Sequence, residues 1–172
     1  IARPARNIFC VGKNYHEHAK EFHASGFDST STSAVPDLPI VFTKAPSSVS
    51  GPGDAIPAYL DETNSVDYEG ELTLVIGPGG RAISKAKALD HIFGYTIVND
   101  VTARTLQSAH KQWFLGKSID GFCPMGPSIV TADEILDPTK LHLTTKVNGE
   151  VRQDASVRDL IFDIPTLVET IS

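Results

Sequence analysis

Residues 66–76 read V-D-Y-E-G-E-L-T-L-V-I, and their alternation decides how the rest of the chain is read. Val66, Tyr68, Leu72, Leu74 and Ile76 fall on one face at period two, and Asp67, Glu69, Glu71 and Thr73 fall on the other, the pattern of a half-buried β-strand. Glu69 and Glu71 then project to one side with Cα atoms about 6.6 Å apart, at about 3.3 Å per residue. Taken alone, such a pair is the wet face of an edge strand. If buried, the two carboxylates repel each other and their pKa values rise. A hard divalent cation between them removes that conflict. Gly70, between them, lets another part of the backbone come close.

Outward from this strand, residues 77–80 form a tight turn. Residues 84–93 are expected to be helical, with Ser84 as N-cap and Gly94 as C-cap. Residues 95–99 form an apolar strand that delivers Asp100 at its end, and residues 101–110 look helical. Taken alone, Asp100 reads as an N-cap for that helix; at the end of an apolar strand it also suits a ligand position, and both roles can hold at once. Arg104 and Gln107, three apart, share a helix face. Lys117 lies in W-F-L-G-K-S-I-D-G-F-C-P, an apolar stretch in which a lysine either snorkels to solvent or is held inside as a fixed cation.

Upstream, residues 7–11 read as a buried strand and residues 15–22 as a helix with Asn14 as N-cap. Residues 39–43 read as another strand. The polar stretch 24–33 is a surface loop or, with the helix before it, a mobile lid over residues 15–34. Downstream, strands over 141–147 and 151–153 flank Asn148-Gly149, a type I′ hairpin signal. Residues 160–172 are weakly helical. Many short strands with few helices define an α+β class with a β-rich core.

The 172 residues suit one domain, with 41% hydrophobic and 21% charged residues, an ordinary globular composition. A net charge of −6 argues against a nucleic-acid partner, which calls for a basic stripe. Cys10 and Cys123 show neither zinc nor disulfide spacing and read as reduced thiols. No apolar run reaches membrane-spanning length, so no membrane partner is expected. No secretory leader is evident; Ile1 is not an initiator Met, so one could have been removed.

His18 and Glu21 are three apart on the first helix and share a face, where a carboxylate would orient an imidazole as a general base or simply form a surface ion pair. The remaining histidines, His16, His23, His91, His110 and His142, have no partner at helpful spacing and read as structural or surface groups.

Four motifs, G-K-N-Y-H-E-H-A-K-E, V-D-Y-E-G-E-L, G-Y-T-I-V-N-D-V-T-A-R-T-L-Q and W-F-L-G-K-S-I-D-G-F-C-P, together resemble the fumarylacetoacetate hydrolase family, in its order and from residue 8 to the end. The resemblance implies a mixed β-roll or sandwich catalytic domain, a homodimer, and Mg2+ or Mn2+ held by Glu69, Glu71 and Asp100, donors that Ca2+ also accepts. It implies that His18 and Glu21 activate water on a segment that orders over substrate. Arg104, Gln107 and Lys117 would contact the carboxylate and oxo groups of a small oxo-acid, with Lys117 also catalytic. The expected compartment, read from the reduced thiols, is the cytoplasm or the mitochondrial matrix. Family members continue past D-I-P-T-L-V-E-T-I-S, so residues 1–172 are expected to be one catalytic domain cut short at its C-terminus.

The leading expectation is hydrolytic C–C cleavage of a 2,4-dioxo acid of the acylpyruvate or fumarylpyruvate kind through a stabilised enolate. Oxaloacetate decarboxylation and keto–enol tautomerisation use the same site. A non-catalytic family member is a third reading.

Overall fold

The computed structural model describes residues 3–24, 35–110 and 112–172, with the side chains of His18, Glu21 and Phe22 set aside. The strands and helices, in chain order, are β1 (Ile8–Gly12), α1 (His16–Ala24), β2 (Ile40–Lys44), β3 (Val49–Ser50), β4 (Val66–Asp67), β5 (Gly70–Ile76), β6 (Ile92–Asn99), β7 (Thr102–Ala103), α2 (Arg104–Ala109), α3 (Phe114–Lys117), β8 (Cys123–Pro124), β9 (Val130–Thr131), β10 (His142–Val147), β11 (Glu150–Ser156) and α4 (Ile164–Ile171). The architecture is α+β, strand-rich with a few short helices, as the sequence leads one to expect.

The strands pair into small sheets. β5, β6 and β9 form an antiparallel sheet in that order, β1 pairs with β2, and β10 with β11. β4 pairs with β7 antiparallel, and β3 with β8 parallel. In the β5–β6 register Leu72 faces Ile97 and Leu74 faces Tyr95. Leu72, Leu74 and Tyr95 pack with Ile92, Val157, Ile164 and Leu160 in the largest apolar cluster among the described residues. A second cluster joins Val101, Ala103 and Phe122 beneath the candidate site. Phe122 and Val101 are almost wholly buried. Each such side chain contributes about 1.5–3 kcal/mol on burial, which anchors the turn after Asn99.

Several expected elements differ. The single strand over 66–76 is two: β4 ends at Asp67, β5 begins at Gly70, and the pieces pair with different partners. Asp67 causes the break locally, since its carboxylate accepts the Tyr68 N–H at 2.9 Å in place of a strand neighbour. Glu69 is thus in the junction and not in a strand. The helix expected over 84–93 is a 3-10 turn at Lys85–His91, Ser84 makes no side-chain cap, and Gly94 lies inside β6. The helix expected over 101–110 starts only at Arg104, because Thr102 and Ala103 are taken into β7. Asn14, expected to cap α1, instead donates to the Phe162 carbonyl at 3.0 Å and accepts the Phe162 N–H at 2.8 Å, tying the start of α1 to the loop before α4. The hairpin is as expected, with Asn148 and Gly149 at φ 52° and 85°. Across it His142 contacts Asp154, a pairing set by strand register and invisible to sequence spacing. Residues 25–34 of the expected lid lie outside the described residues. Among the described residues no helix is long and apolar enough to cross a membrane.

Candidate active site

Five pieces of chain bring the charged groups together. The junction between β4 and β5 carries Glu69, β5 carries Glu71, the turn after β6 carries Asp100, and α2 and α3 supply Arg104 and Lys117. The backbone of the junction is gripped on both sides. The Glu69 N–H donates to Asn99 Oδ1 at 2.9 Å, and the Asp100 N–H donates to the Glu69 carbonyl at 2.6 Å. Gln153, from β11, accepts the Gly70 N–H at 2.7 Å and donates to the Gly70 carbonyl at 3.4 Å. A side chain at position 70 would run into the side chains of Thr145 and Gln153, so what comes close at Gly70 is side chains of the β10–β11 hairpin and not the backbone expected from sequence.

Glu69, Asp100 and Lys117 are 6%, 5% and 2% exposed. The Lys117 ammonium lies between the two acids, bonded to Glu69 Oε2 and at 3.0 Å from Asp100 Oδ2. It also sits 5.0 Å from the centre of the Phe42 ring, whose face favours a cation. Burial, the largest influence, pulls this ammonium down, but Asp100 and Glu69 together outweigh it and raise its pKa. Lys117 is therefore a fixed interior cation and does not snorkel. Arg104 reaches Asp67 through Nε at 2.9 Å and Nη2 at 2.8 Å, and Glu69 Oε1 through Nη1 at 2.6 Å. Nη1 also donates to Gln107 Oε1 at 3.1 Å, so Arg104 and Gln107 do share a face, as expected.

Sequence reasoning missed Lys44. It is fully buried, donates to Asp100 Oδ1 at 2.7 Å and to the Val101 carbonyl at 3.1 Å, and bonds the Lys117 carbonyl as well. Its only sequence signal is a lysine ending the apolar run I-V-F-T-K. Asp100 therefore does not cap α2: the N-cap position is Ala103, with no side-chain bond, while the Asp100 carboxylate lies between two ammonium groups.

Glu71 is half-buried and has no hydrogen bond or ion pair among the described residues. Burial first, then Glu69 and Asp100, push its pKa well above the ordinary carboxylate range. Among the described residues no three carboxylate, imidazole or thiol groups close around one point; Glu69 and Asp100 meet through an ammonium instead. The donor set nonetheless suits a hard divalent ion. Its oxygens are carboxylate oxygens, two of them already share one cation, and the third acid makes no ion pair among the described residues. His18 and Glu21 both lie on α1, and their side chains are outside the described residues. The acids line a cavity of about 850 Å³ together with Lys13, Tyr15, Arg104, Gln107, Trp113 and Lys117.

Glu71→Gln tests this electrostatic picture. An acid with a raised folded pKa binds its proton more tightly when folded. Stability then falls as pH rises from the unfolded carboxylate value, about 4.3, and the loss is complete above the folded pKa. Without metal at pH 8 the variant is expected to melt above the wild type, and the gap should close near pH 4. Thermal melts across that range check it; a variant melting below wild type at pH 8 contradicts it.

Residues 7–172 match the family model described as fumarylacetoacetate (FAA) hydrolase C-terminal. The chain belongs to the fumarylacetoacetate hydrolase family. It is 51% identical to oxaloacetate tautomerase YisK of Bacillus subtilis (strain 168), over 172 residues that make up 100% of this chain and 55% of the relative. Among solved structures it resembles a fumarylacetoacetate hydrolase from psychrophilic Exiguobacterium antarcticum, with a TM-score of 0.83 and 48% identity over 99% of this chain and 58% of that one. It also resembles a 5-carboxymethyl-2-hydroxymuconate delta-isomerase from Mycobacterium smegmatis, with a TM-score of 0.80 and 39% identity over 98% of this chain and 62% of that one. The chain spans about half the length of the curated relatives it matches.

Proposed function

We propose that this chain carries the acidic core of a metal-dependent enzyme that enolises a small oxo-acid, with keto–enol tautomerisation of an oxaloacetate-like substrate as its reaction. The observation that carries the reading is the meeting of Glu69 and Asp100 on Lys117 in one buried site beside Glu71, which makes no ion pair among the described residues. Likeness to an oxaloacetate tautomerase across the whole chain supports it.

Glu69, Glu71 and Asp100 would hold Mg2+ or Mn2+, which when bound supplies a Lewis acid that polarises the 2-oxo group. The other steps belong to the chain. Arg104 and Gln107 present donors for the substrate carboxylate. Lys117, whose pKa is raised, stays protonated at neutral pH and offers a positive charge to the oxygen that becomes negative as the C3–H bond breaks. His18, with Glu21 as its partner in the dyad that the family resemblance implies, would take that proton and return it to oxygen or carbon.

Hydrolytic C–C cleavage of an acylpyruvate-type acid, the leading expectation from sequence, is the second reading. Likeness to a fumarylacetoacetate hydrolase supports it. It requires a water activated by His18 in addition to the groups above, whereas tautomerisation does not. Assays of oxaloacetate enol–keto conversion and acetylpyruvate cleavage, run side by side with Mg2+ or Mn2+, separate the two. EDTA-stripped protein and Glu69→Ala are expected to lose at least about 100-fold in kcat/KM, a loss of about 2.7 kcal/mol of transition-state stabilisation. Full turnover in stripped protein would sink both readings.

A further inference from the structure

Gly70 stands between Glu69 and Glu71, so its backbone sets the directions in which both acids leave the chain. Glycine is required there, because a Cβ would run into the Thr145 side chain. Glycine is also the residue least able to hold its own dihedral angles, so stiffness at this point must come from outside. On one side β6 and the turn after it supply it. The Glu69 N–H donates to Asn99 Oδ1 at 2.9 Å, and the Asp100 N–H donates to the Glu69 carbonyl at 2.6 Å. On the other side β5 is the edge of the β5–β6–β9 sheet. There the Gly70 N–H donates to Gln153 Oε1 at 2.7 Å, and the Gly70 carbonyl accepts from Gln153 Nε2 at 3.4 Å. One side-chain amide gives this residue the donor and the acceptor that a neighbouring strand would give.

A bulge in the hairpin puts that amide in place. Val147 faces Glu150 and Lys146 faces Val151, and the register then slips so that Thr145 faces Gln153. Arg152 is the extra residue, and it pairs with Glu150 at 2.7 Å. Directly opposed residues share a sheet face, and the Thr145 side chain is the one that meets Gly70. A regular hairpin would set Arg152 opposite Thr145. A guanidinium only donates, so it could not accept the Gly70 N–H. Bulges re-aim single side chains in this way. We propose that Gln153, aimed by this bulge, is a positioning residue for the enolisation reaction: it locks the Gly70 peptide and so holds Glu69 and Glu71 in their working directions. The inference rests on the functional reading above. Gln153 is not part of the cavity lining, so it acts through Gly70 and not on substrate.

The test compares wild type with Gln153→Met, which keeps the length and removes both hydrogen bonds, and with Gln153→Asn, which withdraws the amide by one methylene. Amide exchange is followed by NMR on isotope-labelled protein. The Gly126 N–H, bonded to the Ile97 carbonyl at 3.0 Å, is the internal control. Both variants are expected to speed exchange at Gly70 by about tenfold or more and to leave Gly126 unchanged. In oxaloacetate enol–keto conversion with Mg2+ or Mn2+, kcat is expected to fall about tenfold, as a misplaced site group brings, with KM within about twofold because Arg104 and Gln107 are untouched. A merely structural role would speed both amides alike and cut activity only in proportion to the unfolded fraction, which would overturn the proposal. So would unchanged exchange at Gly70, or a normal kcat despite fast exchange there. If Gln153→Met fails to fold, the milder Gln153→Asn decides. A wild type that turns over neither oxaloacetate nor acetylpyruvate overturns the functional reading, and the catalytic role of Gln153 with it, whatever the exchange at Gly70 shows.

Discussion

Lys117→Met is expected to cost the metal-free chain about 3–5 kcal/mol, the usual loss when one partner of a buried ion pair is removed. The replacement keeps most of the side-chain volume, so the loss reports charge and not a cavity. With the ammonium gone, Glu69 Oε2 and Asp100 Oδ2 face each other with Glu71 close enough to raise the repulsion. Arg104 and Lys44 still compensate one oxygen of each acid, which places the effect nearer the low end of that range. The pH dependence has a definite sign. A lysine with a raised folded pKa contributes stability that is fully present below its unfolded value, about 10.4, and is lost as pH rises through the folded one. The gap between wild type and variant should hold across neutral pH and close only in strong alkali. Urea denaturation at pH 7 and at alkaline pH measures it. Divalent metal is expected to restore part of the loss, about 2.7 kcal/mol at a hundredfold excess over Kd, because the ion takes the place of the missing cation. A variant no less stable than wild type without metal would show that the two acids are not held charged.

Gly116→Ala is the second large effect, through sterics. The added Cβ would lie 2.6 Å from the Gln107 nitrogen, 2.8 Å from the Ala103 carbonyl oxygen and 2.9 Å from the Gln107 Cα. These are backbone atoms of β7 and α2, so no side chain can swing aside. Overpacking of a rigid contact costs about 1–3 kcal/mol. The displacement also falls between Gln107 and Lys117, which both line the site. Activity is therefore expected to drop more than stability alone explains, by about tenfold or more even where the variant stays folded. Gly79→Ala is the matched control, since nothing lies within 4 Å of its added Cβ. Equal behaviour of the two variants in melts and in turnover would refute the packing argument.

The sequence by itself determined the three acids and two of the three cations, Arg104 and Lys117, that this chain brings to its site. The α+β class followed from many short alternating runs, and the hairpin turn from Asn148-Gly149, because these depend on local periodicity and turn chemistry. Glu69, Glu71, Asp100, Arg104, Gln107 and Lys117 were legible as chemistry-bearing residues for the same reason, with the motif resemblance joining them. What only the tertiary structure decided is how those charges are shared. The break at Asp67 removed Glu69 from the strand, and the capture of Thr102 and Ala103 by β7 moved Asp100 out of a capping role. Lys44 and Gln153, 56 and 83 residues from the groups they hold, carry no spacing signal at all. The reason is physical. A buried charge must find its counter-charge wherever the fold brings one within hydrogen-bond reach, and sequence distance has no part in that requirement. Two of the three candidate acids opened as a same-face pair on one strand; the fold makes the three a junction acid, a strand acid and a turn acid, with the first and last held in place by Arg104, Lys117 and Lys44.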